Sequence, residues 1–192
     1  MSKIYYVSDY HFFHELALKR SRSDCFNSIE EMNEEIIKRH NEKVDEDDDI
    51  YILGDIIVCE ESELKDKLES TVGKLKGNLH LILGNHDYKF RENKDFLKYF
   101  KSVDELRLIR DHNKWVQLCH YPILLWYRKN KGAYHIFGHM HNDSCTKEFH
   151  HIKKENNIFN CCVEINNFEP CTLDELIENN NKFYEKMTKS TE

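Results

Sequence analysis

Residues 78–88 read NLHLILGNHDY, an alternating apolar run that ends in a glycine, an amide, an imidazole and a carboxylate. The alternation predicts a strand over Leu79 to Leu83, because the side chains of a strand point to its two faces in turn. The polar cluster that follows could be an ordinary turn, since Gly and Asn tolerate positive φ and Asp bonds to nearby backbone. Its meaning therefore depends on how the other strands of the chain end.

Similar periodicities predict five further strands and four helices. The strands are expected at Ile4 to Ser8, Ile50 to Leu53, Trp115 to Cys119, Tyr134 to Phe137 and Ile158 to Ile165. The helices are expected at Ser28 to Lys43, Glu61 to Leu75, Asn93 to Phe100 and Thr172 to Met187. Capping boxes open the first and the last of these helices. Strands alternating with helices, then strands, then a closing helix predict an α/β fold with sheet at its centre.

The composition narrows the class of protein. With 192 residues, of which 40% are hydrophobic, the chain is expected to form one domain over residues 1–192. A formal charge of −7 gives no global positive field toward nucleic acid or anionic lipid. Because no apolar run approaches the roughly 18 residues of a membrane span and no signal-peptide pattern opens the chain, a cytoplasmic location is expected. Seven cysteines without a C-x-x-C pair indicate reduced, mostly structural thiols.

Five of the predicted strands end in side chains that can bind a metal ion. These are Asp9 and His11 after the first strand, Asp55 after the second, Asn85, His86 and Asp87 after the third, His120 after the fourth, and His139 and His141 after the fifth. Each cluster alone is typical of a turn or a core histidine. In open α/β sheets, however, ligands gather outside the carboxyl ends of the strands, so the five clusters are expected to converge.

The residue types and their spacing indicate which metals could bind. Carboxylate, imidazole and amide groups without a thiolate suit a pair of first-row divalent ions such as manganese, iron, zinc, cobalt or nickel. In Asp-x-His and His-x-His, the two side chains would lie on the same side of an extended segment. Each pair could then reach one metal centre.

These motifs resemble those of a known family. The series Asp9-x-His11, Gly54-Asp55, Gly84-Asn85-His86-Asp87, His120 and Gly138-His139-Met140-His141 resembles the calcineurin-like metallophosphoesterase superfamily over residues 3–142. The opening SDYHFFH is similar to that of the small single-domain bacterial and phage phosphoesterases. The resemblance implies a four-layer αββα sandwich, in which helices flank two sheets, with a dinuclear metal site.

The resemblance also implies a ligand set. The first ion would be held by Asp9, His11, Asp55 and His141, and the second by Asp55, Asn85, His120 and His139. Asp55 would therefore bridge the two ions. Manganese is the expected metal, with iron, zinc, nickel or cobalt as alternatives.

Two departures from the subgroup concern the substrate rather than the metals. Phe13 stands where relatives often carry Gly, although His14 after it is kept and is a candidate substrate contact at the mouth of the site. The segment 21–27 reads SRSDCFN, where relatives tend to have an Arg-Pro-Phe-like sequence.

The expected reaction is hydrolysis of a phosphoester by a hydroxide that bridges the two ions. His86 is the candidate to protonate the leaving oxygen or to stabilise the charged transition state. Asp87 is expected to orient the His86 imidazole through a hydrogen bond and to keep it protonated. Gly84 would let the backbone approach the ions closely.

The segment 121–135, YPILLWYRKNKGAYH, bears on the substrate. Its aromatic and basic side chains could stack a base and hold a phosphate, with Arg128 as the candidate contact, or could be an ordinary exposed hairpin. The preferred activity is a phosphodiesterase acting on a cyclic or short nucleotide. A phosphomonoesterase, a non-catalytic metal-binding scaffold and a nuclease acting on nucleic-acid ends remain open. The oligomeric state is open too, because residues 156–165 could form either an edge or an interior strand.

Overall fold

The computed structural model describes residues 2–189, which contain two sheets of four strands each. The strands are β1 (Ile4–Val7), β2 (Asp49–Ile52), β3 (Asn78–Ile82), β4 (Ser102–Asp104), β5 (Leu106–Asp111), β6 (Lys114–Cys119), β7 (Tyr134–Phe137) and β8 (Ile158–Asn160). The first sheet has the order β1-β2-β3-β4 and is parallel throughout. The second has the order β5-β6-β7-β8, with β5 antiparallel to β6 and the other pairs parallel.

Six α-helices and several single turns of helix connect these strands in the described residues. The helices are α1 (Glu15–Ala17), α2 (Ile29–Lys43), α3 (Leu64–Ser70), α4 (Lys94–Leu97), α5 (Lys147–Ile152) and α6 (Leu173–Lys189). A π-helical turn, Leu18–Arg22, continues α1, and 3-10 turns occur at Glu61–Glu63, Val72–Lys74, Tyr88–Phe90, Lys129–Lys131 and Val163–Ile165. Helix α2 begins where predicted, because the Ser28 hydroxyl accepts a hydrogen bond from the Glu31 N–H at 3.1 Å.

Three apolar layers hold the sheets and helices together. On the outer face of the first sheet, Val7 and Ile52 pack in one cluster with Met32 of α2 and Leu68 of α3. Between the sheets lies a second cluster, which contains Leu53, directly after β2, and the following members from the strands: Tyr6, Tyr51, Ile82, Ile109, Val116, Leu118, Ile136 and Phe159. On the outer face of the second sheet, Phe137 and Ile158 pack with Ile152 of α5. The fold is therefore a four-layer αββα sandwich, which confirms the predicted class.

Helix α6 closes the side of the sandwich where β1 and β8 are the edge strands. Leu173 and Leu176 of this helix belong to the cluster between the sheets. The Asn160 N–H at the end of β8 donates to Asn180 Oδ1 at 2.8 Å, so the edge of β8 is covered by the chain itself. Residues 156–165 thus contain an edge strand whose outer side contacts α6 rather than solvent.

Several elements differ from the sequence prediction. The strand expected to reach Ile165 ends at Asn160, because the chain then crosses to the first sheet, where the Ser8 N–H donates to the Cys161 carbonyl at 3.0 Å. The helix expected over Glu61 to Leu75 is interrupted at Thr71, whose φ of −127° is not helical. Strands β4 and β5 and helices α1 and α5 were not predicted. Strand β4 and helices α1 and α5 are short, and β5, although it has six residues, exposes leucines that do not mark a buried face.

All seven cysteines are free thiols, five of them buried, which confirms the interpretation of their spacing. No helix within residues 2–189 is long and apolar enough to cross a membrane.

Candidate metal centre

The five polar strand ends lie at one edge of the sandwich, where the loops after the strands contact one another. The loops after β1 and β2 stay paired, because the Asp9 N–H donates to the Gly54 carbonyl at 2.9 Å. The loops after β6 and β7 are joined by a bond of the same length from the Gly138 N–H to the His120 carbonyl. The His139 N–H donates to Asp9 Oδ2 at 2.9 Å and so connects the two sheets.

The backbone at these loops is left-handed rather than extended. The φ angles are 59° at Asp9, 50° at His11, 55° at Asp55, 69° at His139 and 47° at His141. For a residue other than glycine, such a conformation costs roughly 1–2 kcal/mol and is most often found at functional sites. The prediction that Asp-x-His and His-x-His are extended segments is therefore wrong. Their side chains converge because the chain turns sharply at each of these residues.

One set of three side chains, the first ligand group, consists of Asp9, His11 and His141, whose ligand atoms all lie within 4.8 Å of one another. The Nε2 atoms of His11 and His141 are 3.6 and 3.7 Å from Asp9 Oδ1. Asp9 and His11 are buried, and His141 is partly exposed.

The second ligand group consists of Asp55, His120 and His139, again within 4.8 Å of one another. His120 Nε2 lies 3.6 Å from Asp55 Oδ2 and 3.2 Å from Asn85 Oδ1, so the Asn85 amide completes this group. Asp55 Oδ2 is also 3.7 Å from His11 Nε2. One carboxylate oxygen of Asp55 therefore lies between the two groups.

Unpartnered buried atoms show that the first ligand group suits a cation. Among residues 2–189, the buried side-chain nitrogen and oxygen atoms without a hydrogen-bond partner are Asp9 Oδ1, His11 Nε2 and Glu164 Oε2. Buried polar groups are almost always hydrogen-bonded, and leaving one unpaired costs about 1–3 kcal/mol. The first two of these atoms point toward each other, 3.6 Å apart, as two ligands of a single ion would.

The ligand imidazoles are oriented by bonds at their other nitrogen. His120 Nδ1 lies 2.7 Å from the Leu53 carbonyl, which can only accept, so Nδ1 carries the proton and Nε2 presents its lone pair to the site. His141 Nδ1 lies 2.8 Å from Glu164 Oε1, with the same consequence. Metal-binding histidines in proteins are commonly fixed in this way. The donor set therefore fits a pair of divalent ions.

In the first ligand group the Asp9 carboxylate favours binding of a cation, whereas His141 must release a proton before it can bind one. Burial opposes ionisation of Asp9, but its contact with His11 and the charges of His141 and His120 outweigh burial and hold the pKa of the Asp9 carboxyl well below its usual range. Burial likewise disfavours the charged form of His141, but Glu164 outweighs it and raises the pKa of His141 to about 8. Asp9 is thus an anion within reach of several imidazoles.

Asp87 does not contact His86, so the prediction that it orients this imidazole is wrong. Its buried carboxylate accepts backbone N–H bonds instead, from Asp55 at 2.7 Å and Gly84 at 2.9 Å through Oδ2, and from Ile56 at 3.0 Å through Oδ1. Burial and the neighbouring charge of Asp55 raise the pKa of Asp87 to about 6. Asp87 therefore joins the loops after β2 and β3 through their backbone.

His86 lies at the site, half-buried between the two ligand groups. Its backbone N–H donates to Asp55 Oδ1 at 2.8 Å, and its Nε2 is 4.0 Å from Asp55 Oδ2. Its ring centroid is 5.2 Å from those of His11 and His14. Burial lowers the pKa of His86, although the charge of Asp55 raises it. The imidazole is thus not held in the protonated form by a carboxylate bond, contrary to the prediction.

Glycines make room for the ligand carboxylates. A Cβ atom on Gly84 would overlap the Asp55 carboxylate, and one on Gly138 would lie 2.6 Å from Asp9 Oδ2. Both positions therefore require glycine, because the carboxylate of a ligand residue occupies the space that a side chain would fill.

The ligand groups open into a cavity of about 750 Å³. Besides ligand residues and His86, its wall includes His14, Leu16, Ala17, Arg20, Ser21, Pro122, Met140, Asn142, Asp143, Thr146 and Glu148. His14 Nδ1 lies 3.0 Å from His11 Nδ1, and burial, with the charges of His11 and His86, lowers the pKa of His14 to about 4. Arg128 does not line this cavity. The arginine that does is Arg20, which belongs to the unpredicted π-helical turn.

Comparisons with known proteins agree with this geometry. The model of the calcineurin-like phosphoesterase family matches residues 2–143. An uncharacterized protein of Methanocaldococcus jannaschii is 32% identical over 178 residues, which is 93% of this chain and 91% of that protein. The crystal structure of a protein of unknown function from Aquifex aeolicus superposes with a TM-score of 0.67 at 23% identity, covering 93% of this chain and 99% of that one.

Proposed function

Because the chain belongs to the calcineurin-like phosphoesterase family and is thus a metal-dependent phosphoesterase, we propose that it hydrolyses small phosphodiesters at a site for two metal ions. The observation that carries the proposal is the position of Asp55 Oδ2, which lies 3.7 Å from His11 Nε2 in the first ligand group and 3.6 Å from His120 Nε2 in the second. A carboxylate within reach of ligands in both groups could bridge two adjacent ions.

The first ion would be held by Asp9, His11, Asp55 and His141, and the second by Asp55, Asn85, His120 and His139. Such a pair supplies Lewis acidity to a phosphoryl group and lowers the pKa of water toward neutrality. Imidazole, carboxylate and amide ligands in this mixture suit manganese, which we propose as the working ion.

The remaining side chains of the cavity would act on the substrate directly. His86 lies beside both groups and would donate its N–H to the leaving oxygen, where negative charge develops. This stabilising role fits a lowered pKa better than full proton transfer does, because a neutral imidazole remains a hydrogen-bond donor. His14 and Arg20 would contact the non-reacting part of the phosphoester.

The size and charge of the cavity favour a small substrate. A volume of about 750 Å³ is within the range for small-molecule sites and exceeds what an inorganic phosphate needs. The wall includes Asp143 and Glu148 as well as Arg20, so the cavity is not the continuous basic groove that long nucleic acid requires. A cyclic or short nucleotide is the substrate class that we propose.

The test is a hydrolysis screen of the manganese-loaded protein against bis-p-nitrophenyl phosphate, p-nitrophenyl phosphate and 2′,3′- and 3′,5′-cyclic nucleotides. Protein treated with a chelator and protein carrying Asp55→Ala are the controls. We expect the diesters to be cleaved faster than the monoester, and both controls to be inactive. Faster monoester cleavage would identify a phosphomonoesterase, and two bound ions without any hydrolysis would identify a metal-binding scaffold.

A further inference from the structure

Arg22 is a fully buried arginine directly behind the first ligand group. Its Nη2 donates to the Asp9 carbonyl at 2.6 Å and its Nη1 to the Tyr10 carbonyl at 2.7 Å. These carbonyls belong to the loop after β1, in which Asp9 has a left-handed backbone. The guanidinium therefore fixes the backbone of this loop at the residue with the strained conformation.

Glu164 joins Arg22 to His141. Its Oε1 accepts from Arg22 Nε at 2.9 Å, from Arg22 Nη2 at 2.7 Å and from His141 Nδ1 at 2.8 Å. The Glu164 side chain is only 2% exposed, so these bonds form away from water. Because Nδ1 donates to Glu164, the lone pair of His141 Nε2 faces Asp9 Oδ1, 3.7 Å away.

A contribution to fold stability is a poor explanation for the buried ion pair of Arg22 and Glu164. Removing both charges from water costs several kcal/mol per ion, and such pairs are often neutral or unfavourable relative to apolar side chains. Here the pair bonds to two members of the first ligand group, the Asp9 carbonyl and the His141 ring, and to the Tyr10 carbonyl between Asp9 and His11. Its geometry is that of a support for ligands.

We propose that Arg22 and Glu164 are positioning residues that set the ion affinity of the first ligand group and leave that of the second unchanged. The inference rests on the proposed two-ion site. Carboxylates behind a metal-bound histidine typically contribute 10–100-fold to metal affinity, and the second group has its own supports in the Leu53 carbonyl and Asp87.

The test is a calorimetric titration of metal-free protein with Mn²⁺, comparing wild type with Glu164→Gln. We expect two binding events in wild type and, in the variant, one of them weakened about 10–100-fold while the other is unchanged. Asp111→Asn is the matched control, because it also removes a buried carboxylate, one that accepts from the Tyr6 hydroxyl at 2.9 Å at the opposite end of the second sheet. This control should bind both ions as wild type does.

A double-mutant cycle separates positioning from a general structural effect. If Glu164 acts through His141, then Glu164→Gln should add little to the loss of affinity caused by His141→Ala. Additive losses, two unchanged events, or equal weakening of both events would overturn the inference while the two-ion site stands. A wild-type protein that binds no Mn²⁺ would overturn the proposed function itself. Should Glu164→Gln not fold, Glu164→Asp replaces it, since the charge beside Arg22 stays while the shorter side chain withdraws from His141.

Discussion

The two ligand groups meet at Asp55 Oδ2 but are supported in opposite ways. Behind the second group, Asp87 accepts three backbone N–H bonds from the loops after β2 and β3. Behind the first group, Arg22 donates to two backbone carbonyls of the loop after β1. The second group is thus supported by a buried anion that accepts hydrogen bonds, and the first by a buried cation that donates them.

The two supports also differ in how far apart in the sequence their residues lie. The Asp87 support is local, because the residues it joins lie between 54 and 87. The Arg22 support depends on Glu164, which lies beyond the residues 2–143 that match the family model. The support of the first group is therefore complete only when the segment after β8 has folded against it, whereas the support from Asp87 is complete within the loops after β2 and β3.

Asp55→Ala would break the comparison, because this carboxylate lies between the two groups and we propose that it binds both ions. We expect the variant to lose both ions and its hydrolytic activity, by more than the 10²–10⁴-fold that a general acid typically contributes. Metal analysis of the purified protein beside a diester assay measures both effects. Retention of either ion would show that Asp55 is not shared.

His86→Ala tests a residue that lies between the two groups and that we place among the ligands of neither. Turnover should fall about 10²–10³-fold, because the leaving oxygen would lose its hydrogen-bond donor, while both ions stay bound. The measurement is kcat together with metal content. An unchanged kcat would remove His86 from the mechanism.

Acid should lower the stability of the fold, because a buried neutral histidine lies behind each of the two ligand groups. His40 accepts from the Tyr10 hydroxyl at 2.7 Å, beside the first group, and His135 accepts from the Ile123 N–H at 2.9 Å, in the loop after His120. Burial lowers the pKa of each to about 4. Below a pH of about 6.5 the unfolded chain takes up protons that the folded chain refuses, so stability is complete above this pH and is lost as the pH falls toward 4.

The expected loss is up to about 3 kcal/mol for each of these histidines. Urea unfolding of the metal-free protein between pH 7 and pH 4 measures it. His40→Gln should show a shallower dependence on pH, while His112→Gln, which changes an exposed imidazole, should follow wild type. If the His40 variant retained the full dependence, His40 would not be a source of it.

Asp87→Asn tests the support behind the second ligand group without changing the one behind the first. One amide NH₂ would replace an acceptor oxygen and face backbone donors, so the variant should lose about 1–3 kcal/mol of unfolding free energy and bind one Mn²⁺ more weakly. Asp48→Asn is the matched control, because Asp48 is buried and accepts from the Lys3 and Asp45 N–H groups away from the site. That control should lose stability without any change in Mn²⁺ binding. Equal effects of the two variants on Mn²⁺ would contradict the assigned role.

Arg20→Ala should give the smallest effect, since this side chain is exposed and, in the proposed function, would contact only the non-reacting part of a substrate. We expect KM for a nucleotide diester to rise about 5-fold, as for the loss of one hydrogen bond, with kcat unchanged. Arg128→Ala is the paired variant, because it removes the same charge from outside the cavity and should leave KM as it was. The reverse result would restore Arg128 as the substrate contact.

The sequence predicted the strand ends well because the pattern there is simple. Apolar alternation marks β1, β2, β3, β6 and β7, and each of these strands is followed by residues whose chemistry differs from that of the strand. The short elements between them gave no such signal. The turn that carries Arg20 and Arg22 has only five residues, most of them polar. The sequence therefore does not distinguish the exposed Arg20 from the buried Arg22.

What the sequence by itself determined is the set of metal-binding residue types and the common edge at which they meet, because parallel strands place their carboxyl ends together. What only the tertiary structure decided is which partner each polar group takes. Asp87 follows His86 directly, yet its carboxylate accepts from the backbone N–H groups of residues 55, 56 and 84, and Glu164 reaches His141 and Arg22 from a distant segment. The physical reason is that left-handed turns set the direction of these side chains, and their partners are fixed by the packing of loops that the sequence pattern does not encode.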